Sequence, residues 1–313
     1  MGAVPVVPAP LRSTPSAPSV PDTTDPLVAR TVAWFDDAAR DLPWRRPDRT
    51  PWGVLVSEVM LQQTPVVRVE PVWRVWLERW PTPADLAAAP TADVLRAWDR
   101  LGYPRRALRL QQCAAAIVAR HDGGVPDDEE ALRALPGIGE YTAAAVRAFA
   151  FGRRSVVVDT NVRRVLARTL GGTALGAPSP TAAERGLAAG VVPDDEATAA
   201  RWAAASMELG AVVCTARAPR CGACPVADLC AWRAAGHPPD AHAHRRRTQA
   251  WHGTDRQVRG RVMAALRAAV EPVPRALLAD SGPDQGQVDR CLGGLVEDGL
   301  VEQDDAGRYH LPA

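Results

Sequence analysis

Between Cys214 and Cys230 the chain reads CTARAPRCGACPVADLC, four cysteines spaced C-x6-C-x2-C-x5-C within seventeen residues. No other stretch so narrows the folds open to its neighbours, because four thiolates this close can converge on one centre and fasten a loop around it. Two centres qualify, a tetrahedral zinc ion and an iron-sulfur cube. Structural zinc ordinarily uses two short knuckles separated by a longer insert, whereas one compact loop supplying all four corners better suits the larger cube. The other two cysteines, Cys113 and Cys291, stand apart in sequence. In a reducing compartment all six argue for metal or free thiols before disulfides.

The 313 residues carry 37 basic and 36 acidic side chains, a formal charge of +1. Without a global field to attract a polyanion, any nucleic-acid surface must be local. Every one of the 37 basic residues is arginine, so the chain has no lysine at all. No apolar run is long enough to span a membrane, and the first segment lacks the basic-then-apolar layout of a signal peptide. A cytoplasmic location is expected.

Residues 1–25 are rich in Pro, Ser and Thr without apolar periodicity, which predicts a disordered tail. From 26 to 235 the pattern is helical: Val69, Val72, Trp73, Trp76, Leu77 and Trp80 recur at three and four, with breaks at Pro, Gly and Asp. The tryptophans at this spacing read as core rather than as an aromatic box. Residues 236–254 mix Pro, His and an Arg triplet and read as a linker. Residues 255–313 suggest three helices and a hairpin, a small winged-helix-like module. With 7 Arg against 10 Asp plus Glu this module carries about −3, which favours a packing or protein-contact role over reading a DNA groove.

Three short stretches carry chemistry. In LPGIGEYTAAAV, Gly137 and Gly139 permit a close backbone approach ahead of a helix whose free N–H groups can hold a phosphate. Ordinary helix corners use the same turn. In SVVVDTNVRRVLARTL, Asp159 precedes an arginine-bearing helix, where it can serve as N-cap, as neighbouring Asn161 can, and can also stabilise a developing positive charge. In PWGVLVSEVMLQQTPVVRVEP, Glu58 is the only acid of the apolar run from Pro51 to Val67. Desolvation on such a helix raises a carboxyl toward a useful general acid, while a half-exposed helical glutamate is the plain alternative.

In combination these residues resemble the helix-hairpin-helix superfamily of DNA glycosylases, and within it the adenine glycosylases of the MutY type. The resemblance covers about Val28 to Arg233 and rests on LPWR (42–45), SEVMLQQT (57–64), LGY (101–103), LPGIGEYTAAAV (135–146), VDTNVRRV (158–165), MELGAVVC (207–214) and the cysteine loop, in that order. It implies an all-α fold: a six-helix barrel over about 50–160, and a second lobe of the N-terminal helix and a 4Fe-4S domain over about 26–49 and 161–235. Duplex DNA lies between the lobes in such proteins. Cys214, Cys221, Cys224 and Cys230 become the expected cluster ligands.

The resemblance also implies roles. Glu58 matches the family acid that protonates adenine, and Asp159, with Asn161 beside it, matches the aspartate facing the sugar. Gln62, Gln63, Thr64 and Tyr103 fall among residues that fill or wedge the duplex, Trp44, Arg45 and Val66 among those lining the base pocket, and Gly137 and Gly139 in the hairpin. Tyr141 occupies the position where lyase relatives carry a Schiff-base lysine, and its phenol can donate toward Asp159 or the sugar but cannot form an imine. The chain departs from the family at Thr160 (often Gly), Pro104 (often aromatic) and Ala204 (often Gln or Glu). Residues 255–313 are too short and too helical for the Nudix-type domain with which many relatives recognise 8-oxoguanine.

The function expected is removal of adenine mispaired with 8-oxoguanine or guanine, by a monomer without lyase activity. A thymine or uracil mismatch glycosylase of the same fold is the nearest rival. A non-catalytic DNA-binding regulator is the rival from another class.

Overall fold

The computed structural model describes residues 24–245 and 252–313, so the expected tail lies almost entirely outside the described residues. The first helix, α1 (Thr24–Ala38), leads through a short turn at Pro43–Arg45 into α2 (Pro51–Leu61). Thr50 caps α2 by accepting from the Gly53 N–H, and Pro51 sits where a helix needs no donor. Every residue from Trp52 to Met60 is buried. A helix apolar on all sides belongs at the centre of a domain, and its neighbours wrap it.

Those neighbours are α3 (Val66–Arg79), α4 (Pro83–Ala87), α5 (Thr91–Ala97), α6 (Arg105–Arg120), α7 (Glu129–Arg133) and α8 (Glu140–Phe151). Trp76, Trp80 and Trp98 meet edge to face at 4.7 and 5.6 Å in the centre of this lobe, so the tryptophan stripe is core. The second lobe follows with α9 (Thr160–Thr169), α10 (Ala182–Gly190), α11 (Glu196–Val212) and the one-turn α12 (Ala231–Ala234). Its core joins Leu27 and Val28 of α1 to Val162, Val165, Leu166, Trp202, Leu209 and Val226. The chain thus begins in the second lobe, builds the first, and returns.

Helices α2 and α8 pack together, α8 packs on α11, and α11 on α9. That sequence of contacts places the middle of α2, the start of α8 and the start of α9 at the seam between the lobes. Gly210 of α11 makes the last contact possible. A methyl group there would sit 2.6 Å from Cβ of Asn161, too close for any residue but glycine.

The C-terminal module consists of α13 (Asp255–Ala268), α14 (Gln285–Glu297) and a hairpin of β1 (Glu302–Gln303) and β2 (Tyr309–His310). Where three helices were expected, the middle one, Arg275–Ser281, is 3-10, confined between Pro274 and Gly282. An antiparallel bridge from Val273 to Tyr309 adds a third rung to the wing. Val258, Val262, Leu266 and Leu295 of this module belong to the same continuous core as Trp98 and Leu101 of the first lobe. Among the described residues no helix is long and apolar enough to cross a membrane.

Candidate active site

Glu58 sits in the penultimate turn of α2 with 4% of its surface exposed. Burial pushes its carboxyl up to about 7; the negative charge of Asp159 adds to the rise, while a hydrogen bond from Tyr141 and the charge of Arg45 oppose it. The Tyr141 hydroxyl donates to Glu58 Oε2 at 2.9 Å. The phenol, expected to donate toward Asp159 or the sugar, donates here to the acid of α2. Both Asp159 oxygens accept hydrogen bonds from the start of α9.

Asp159 is the N-cap of α9, accepting from the backbone N–H of Asn161 at 2.8 Å and of Val162 at 2.7 Å. The Asn161 side-chain amide adds a third bond at 2.6 Å. Asp159 is therefore the cap, and Asn161 its clamp. Burial raises the Asp159 carboxyl, while these three donors favour its charged form. Held this way, a carboxylate cannot rotate to follow a substrate, which suits electrostatic stabilisation of a cation formed beside it.

Asn161 is itself fixed by a residue that sequence reasoning left unassigned. Arg164 donates to Asn161 Oδ1, to the Gly210 carbonyl at 2.7 Å and to the Cys214 carbonyl at 2.6 Å. One guanidinium thus ties the turn carrying Asp159 to the first cysteine of the loop.

On the other side of Glu58, Arg45 bonds Glu208 at 2.9 Å, and Arg40 reaches the same carboxylate through two nitrogens. Burial alone would raise Glu208, yet the two guanidinium groups outweigh it and hold the carboxyl down at about 2. Arg45 Nη1 is buried and has no partner within the protein. Trp44 is buried and packs edge to face on Trp73 at 5.6 Å, forming the rigid back of the region. Val66, at the start of α3, is half-buried.

Two loops flank the site, and both carry non-glycine residues in the left-handed region: Gln63 at φ 54° and Tyr103 at φ 48°. Tyr103 is 40% exposed. Gln63 is exposed, while Gln62 is half-buried beside Thr142. Thr64, expected among the DNA contacts, is instead buried with its hydroxyl donating to the Leu101 carbonyl at 3.1 Å. It fastens one loop to the other, since the carbonyls there need donors that the irregular backbone does not provide.

The principal fastener is Arg106, which sequence reasoning missed. It donates to the carbonyls of Val59, Met60 and Gln62 with one nitrogen, and to Thr64 Oγ1 and the carbonyls of Leu101 and Gly102 with the other. Burial lowers its pKa to about 10. Its only sequence signal is its place three residues after Tyr103. Beyond it, the hairpin turn holds Gly137 at φ 81° with Arg109 packed beneath it, and exposes Gly137 and Gly139 ahead of α8.

Cys214, Cys221, Cys224 and Cys230 all line one cavity, together with Val165, Arg168 and Trp232 among others. Among the described residues no three His, Cys, Asp or Glu draw close enough to hold a single ion. The cavity brings together four thiols from one loop, the donor set an iron-sulfur cube takes. The surroundings supply charge to match: buried Arg168 donates to Cys214 Sγ at 3.3 Å and lies over Trp232 at 4.4 Å. Two neighbouring guanidiniums, Arg164 and Arg168, bond carbonyls, Asn161 and sulfur here, and thiolates holding a cluster would provide their counter-charge.

Residues 56–190 match the HhH-GPD superfamily of base excision DNA repair proteins, and residues 214–230 match the iron-sulfur binding domain of endonuclease III. The chain is 54% identical over 283 residues to the adenine DNA glycosylase of Mycobacterium tuberculosis (strain ATCC 25618 / H37Rv), covering 90% of this chain and 92% of that protein. It is 53% identical over 281 residues to the adenine DNA glycosylase of Mycolicibacterium smegmatis, covering 90% and 94%. The solved structure of a thermostable thymine-DNA glycosylase superposes with a TM-score of 0.61 at 27% identity, covering 68% of this chain and 97% of the other.

A helical two-lobed fold with a buried carboxyl at its seam and an iron-sulfur loop behind it defines a base excision repair glycosylase of the helix-hairpin-helix superfamily. Within that superfamily the chain belongs to the adenine DNA glycosylases. Its cofactor is the 4Fe-4S cluster of that domain. Bound, the cluster supplies a four-thiolate cross-link to the loop.

Proposed function

We propose that this chain, as a cytoplasmic monomer, hydrolyses the N-glycosidic bond of adenine mispaired with 8-oxoguanine or guanine in duplex DNA. The observation that carries the reading is Glu58, a buried carboxyl raised to about 7 and so substantially protonated at neutral pH. An adenine anion leaves poorly, whereas adenine protonated at N7 leaves as a neutral base.

The base first leaves the stack, at a cost of a few kcal/mol for a mispaired nucleotide. Gln62, Gln63 and Tyr103 fill the vacated space, with Gly137 and Gly139 gripping a phosphate through backbone N–H groups. Arg45, with its unpartnered Nη1, and Trp44 and Val66 receive the base. Glu58 then gives its proton to N7, and the bond from the sugar to N9 breaks with its electron pair going to the base. Asp159 stabilises the oxocarbenium-like sugar. Water adds to C1′ and passes a proton to the Glu58 carboxylate, which restores the acid and leaves an abasic site.

No strand cleavage is expected, because an imine requires an amine and the chain has no lysine. Single-turnover incubation with duplexes holding A opposite 8-oxoguanine, G or T tests the reading. No adenine release by the wild type, or unchanged release by Glu58→Gln, would overturn it. Tyr141→Lys puts an amine-bearing side chain at the position whose hydroxyl now lies 2.9 Å from Glu58 Oε2, and is expected to gain strand cleavage. Unaltered chemistry would return residue 141 to a purely structural role.

A further inference from the structure

The loop from Asp99 to Arg105 is fixed from outside its own lobe. Three of its residues adopt positive φ: Asp99 at 42°, Gly102 at 78° and Tyr103 at 48°. Non-glycine residues persist in that region only where the surroundings over-determine them. Here the surroundings include the C-terminal module, which meets the loop at two points and acts on it by charge at a third.

At its near end, the charge of Asp99 acts on Arg267 of α13, a largely buried guanidinium. At its far end, Arg105 pairs with Asp298 at 3.2 Å, and Arg259 of α13 pairs with the same carboxylate. Between them, the Arg256 guanidinium lies over the Tyr103 ring, 4.6 Å from its centre. Arg106 approaches the same ring at 5.7 Å from within the first lobe. The module is anchored well enough to act as a support, because Val258, Val262 and Leu266 of α13 are buried in the first lobe's own core. Asp298, one of its acids, is occupied in bracing the loop, so the module's net negative charge does not describe the face it turns toward Tyr103.

We propose that the C-terminal module is a brace for the duplex-opening wedge, and that Arg256 is the positioning residue that holds the Tyr103 ring ready for insertion. The proposal rests on the glycosylase reading above, in which Tyr103 enters the stack. The brace acts on opening of the duplex and leaves the bond-breaking step to Glu58 and Asp159. Its effect therefore depends on how firmly the adenine is paired, which a merely structural contact would not sense.

The test compares the full-length chain with Arg256→Ala, an exposed position whose substitution leaves the core intact. Single-turnover adenine release is measured on two duplexes, one with adenine opposite guanine and one with adenine opposite a tetrahydrofuran abasic analogue, where little unpairing is needed. Arg256→Ala is expected to slow release about two- to fivefold on the paired duplex, the scale of an exposed cation–π contact, and to match wild type on the unpaired one. Asp298→Asn, which loosens both arginine ties, should show the same selectivity. Equal slowing on both duplexes, or no slowing on either, overturns the brace. Failure of the glycosylase reading is separate, since then the wild type releases no adenine from either duplex.

Discussion

Glu58→Gln offers a test of the site that does not require activity. In the folded chain the carboxyl titrates at about 7 against an ordinary 4.5, mainly because burial disfavours its charge. As pH rises from 4.5, the unfolded chain gives up this proton first and the folded chain retains it. The group's contribution to stability is therefore fully present below about 4.5 and is lost as pH rises through 7. A gap of this size corresponds to a ceiling of about 3 kcal/mol, of which between about 2 and 3 falls between pH 5 and pH 8.5. Glutamine has no proton to lose, so its variant escapes the whole decline.

The assay is a pair of thermal melts of wild type and Glu58→Gln across that range at one scan rate. At pH 5 the two differ by whatever the amide costs in a site built for a carboxyl. By pH 8.5 the variant should have gained about 5–10 °C on the wild type, taking about 2–4 °C per kcal/mol for a chain of this class. The sign matters as much as the size. Parallel profiles from pH 5 to 8.5 would refute the reasoning, because a carboxyl ordinary in its titration cannot act as the neutral-pH acid proposed for it.

Three further outcomes follow from neighbouring contacts. Tyr141→Phe removes the hydrogen bond that favours the Glu58 carboxylate, so the alkaline limb of the single-turnover rate profile should move to higher pH. Glu208→Gln leaves Arg40 and Arg45 without their shared counter-charge and should cost about 3–5 kcal/mol, read as a large drop in melting temperature. Arg106→Met strands the carbonyls of both wedge loops. At about 1–3 kcal/mol for each buried group left unsatisfied, it should destabilise the fold and slow adenine release most where the base is firmly paired.

How much of this could be read beforehand depends on where each residue's partner lies in the chain. Asp159 is legible because its helix N–H partners are two and three residues away. Glu58 is legible because an isolated acid among apolar residues must be buried or turned outward, and the family motifs favour burial. Its bond to Tyr141 is not, since the two lie 83 residues apart and meet only through the packing of α2 on α8. Arg106 is hidden for a different reason: its acceptors are mostly carbonyls, which every residue carries and no sequence pattern marks. Thr64 was misread on the same account, as its partner is the Leu101 carbonyl. At Arg275–Ser281 the sequence marks a helix but not its kind, because a short apolar pattern bounded by Pro and Gly does not distinguish 3-10 from α.

The cysteine loop and Asp159 are joined by these contacts. Cys214 ends the turn that follows α11, and its carbonyl is held by Arg164 of α9. The same guanidinium holds Asn161, which holds Asp159. Arg168, one helical turn further on, holds the carbonyls of Thr215 and Ala216 and the Cys214 sulfur. Both arginines therefore lie on the face of α9 that meets the loop, and Gly210 lets α11 press against the first turn of that helix. If the loop were free to shift, Arg164 would lose a carbonyl anchor, and the clamp on Asp159 would loosen without any change at residue 159. A four-cornered cross-link on this loop would thus have a mechanical consequence at Asp159. That consequence is reached through three hydrogen bonds and requires no redox step.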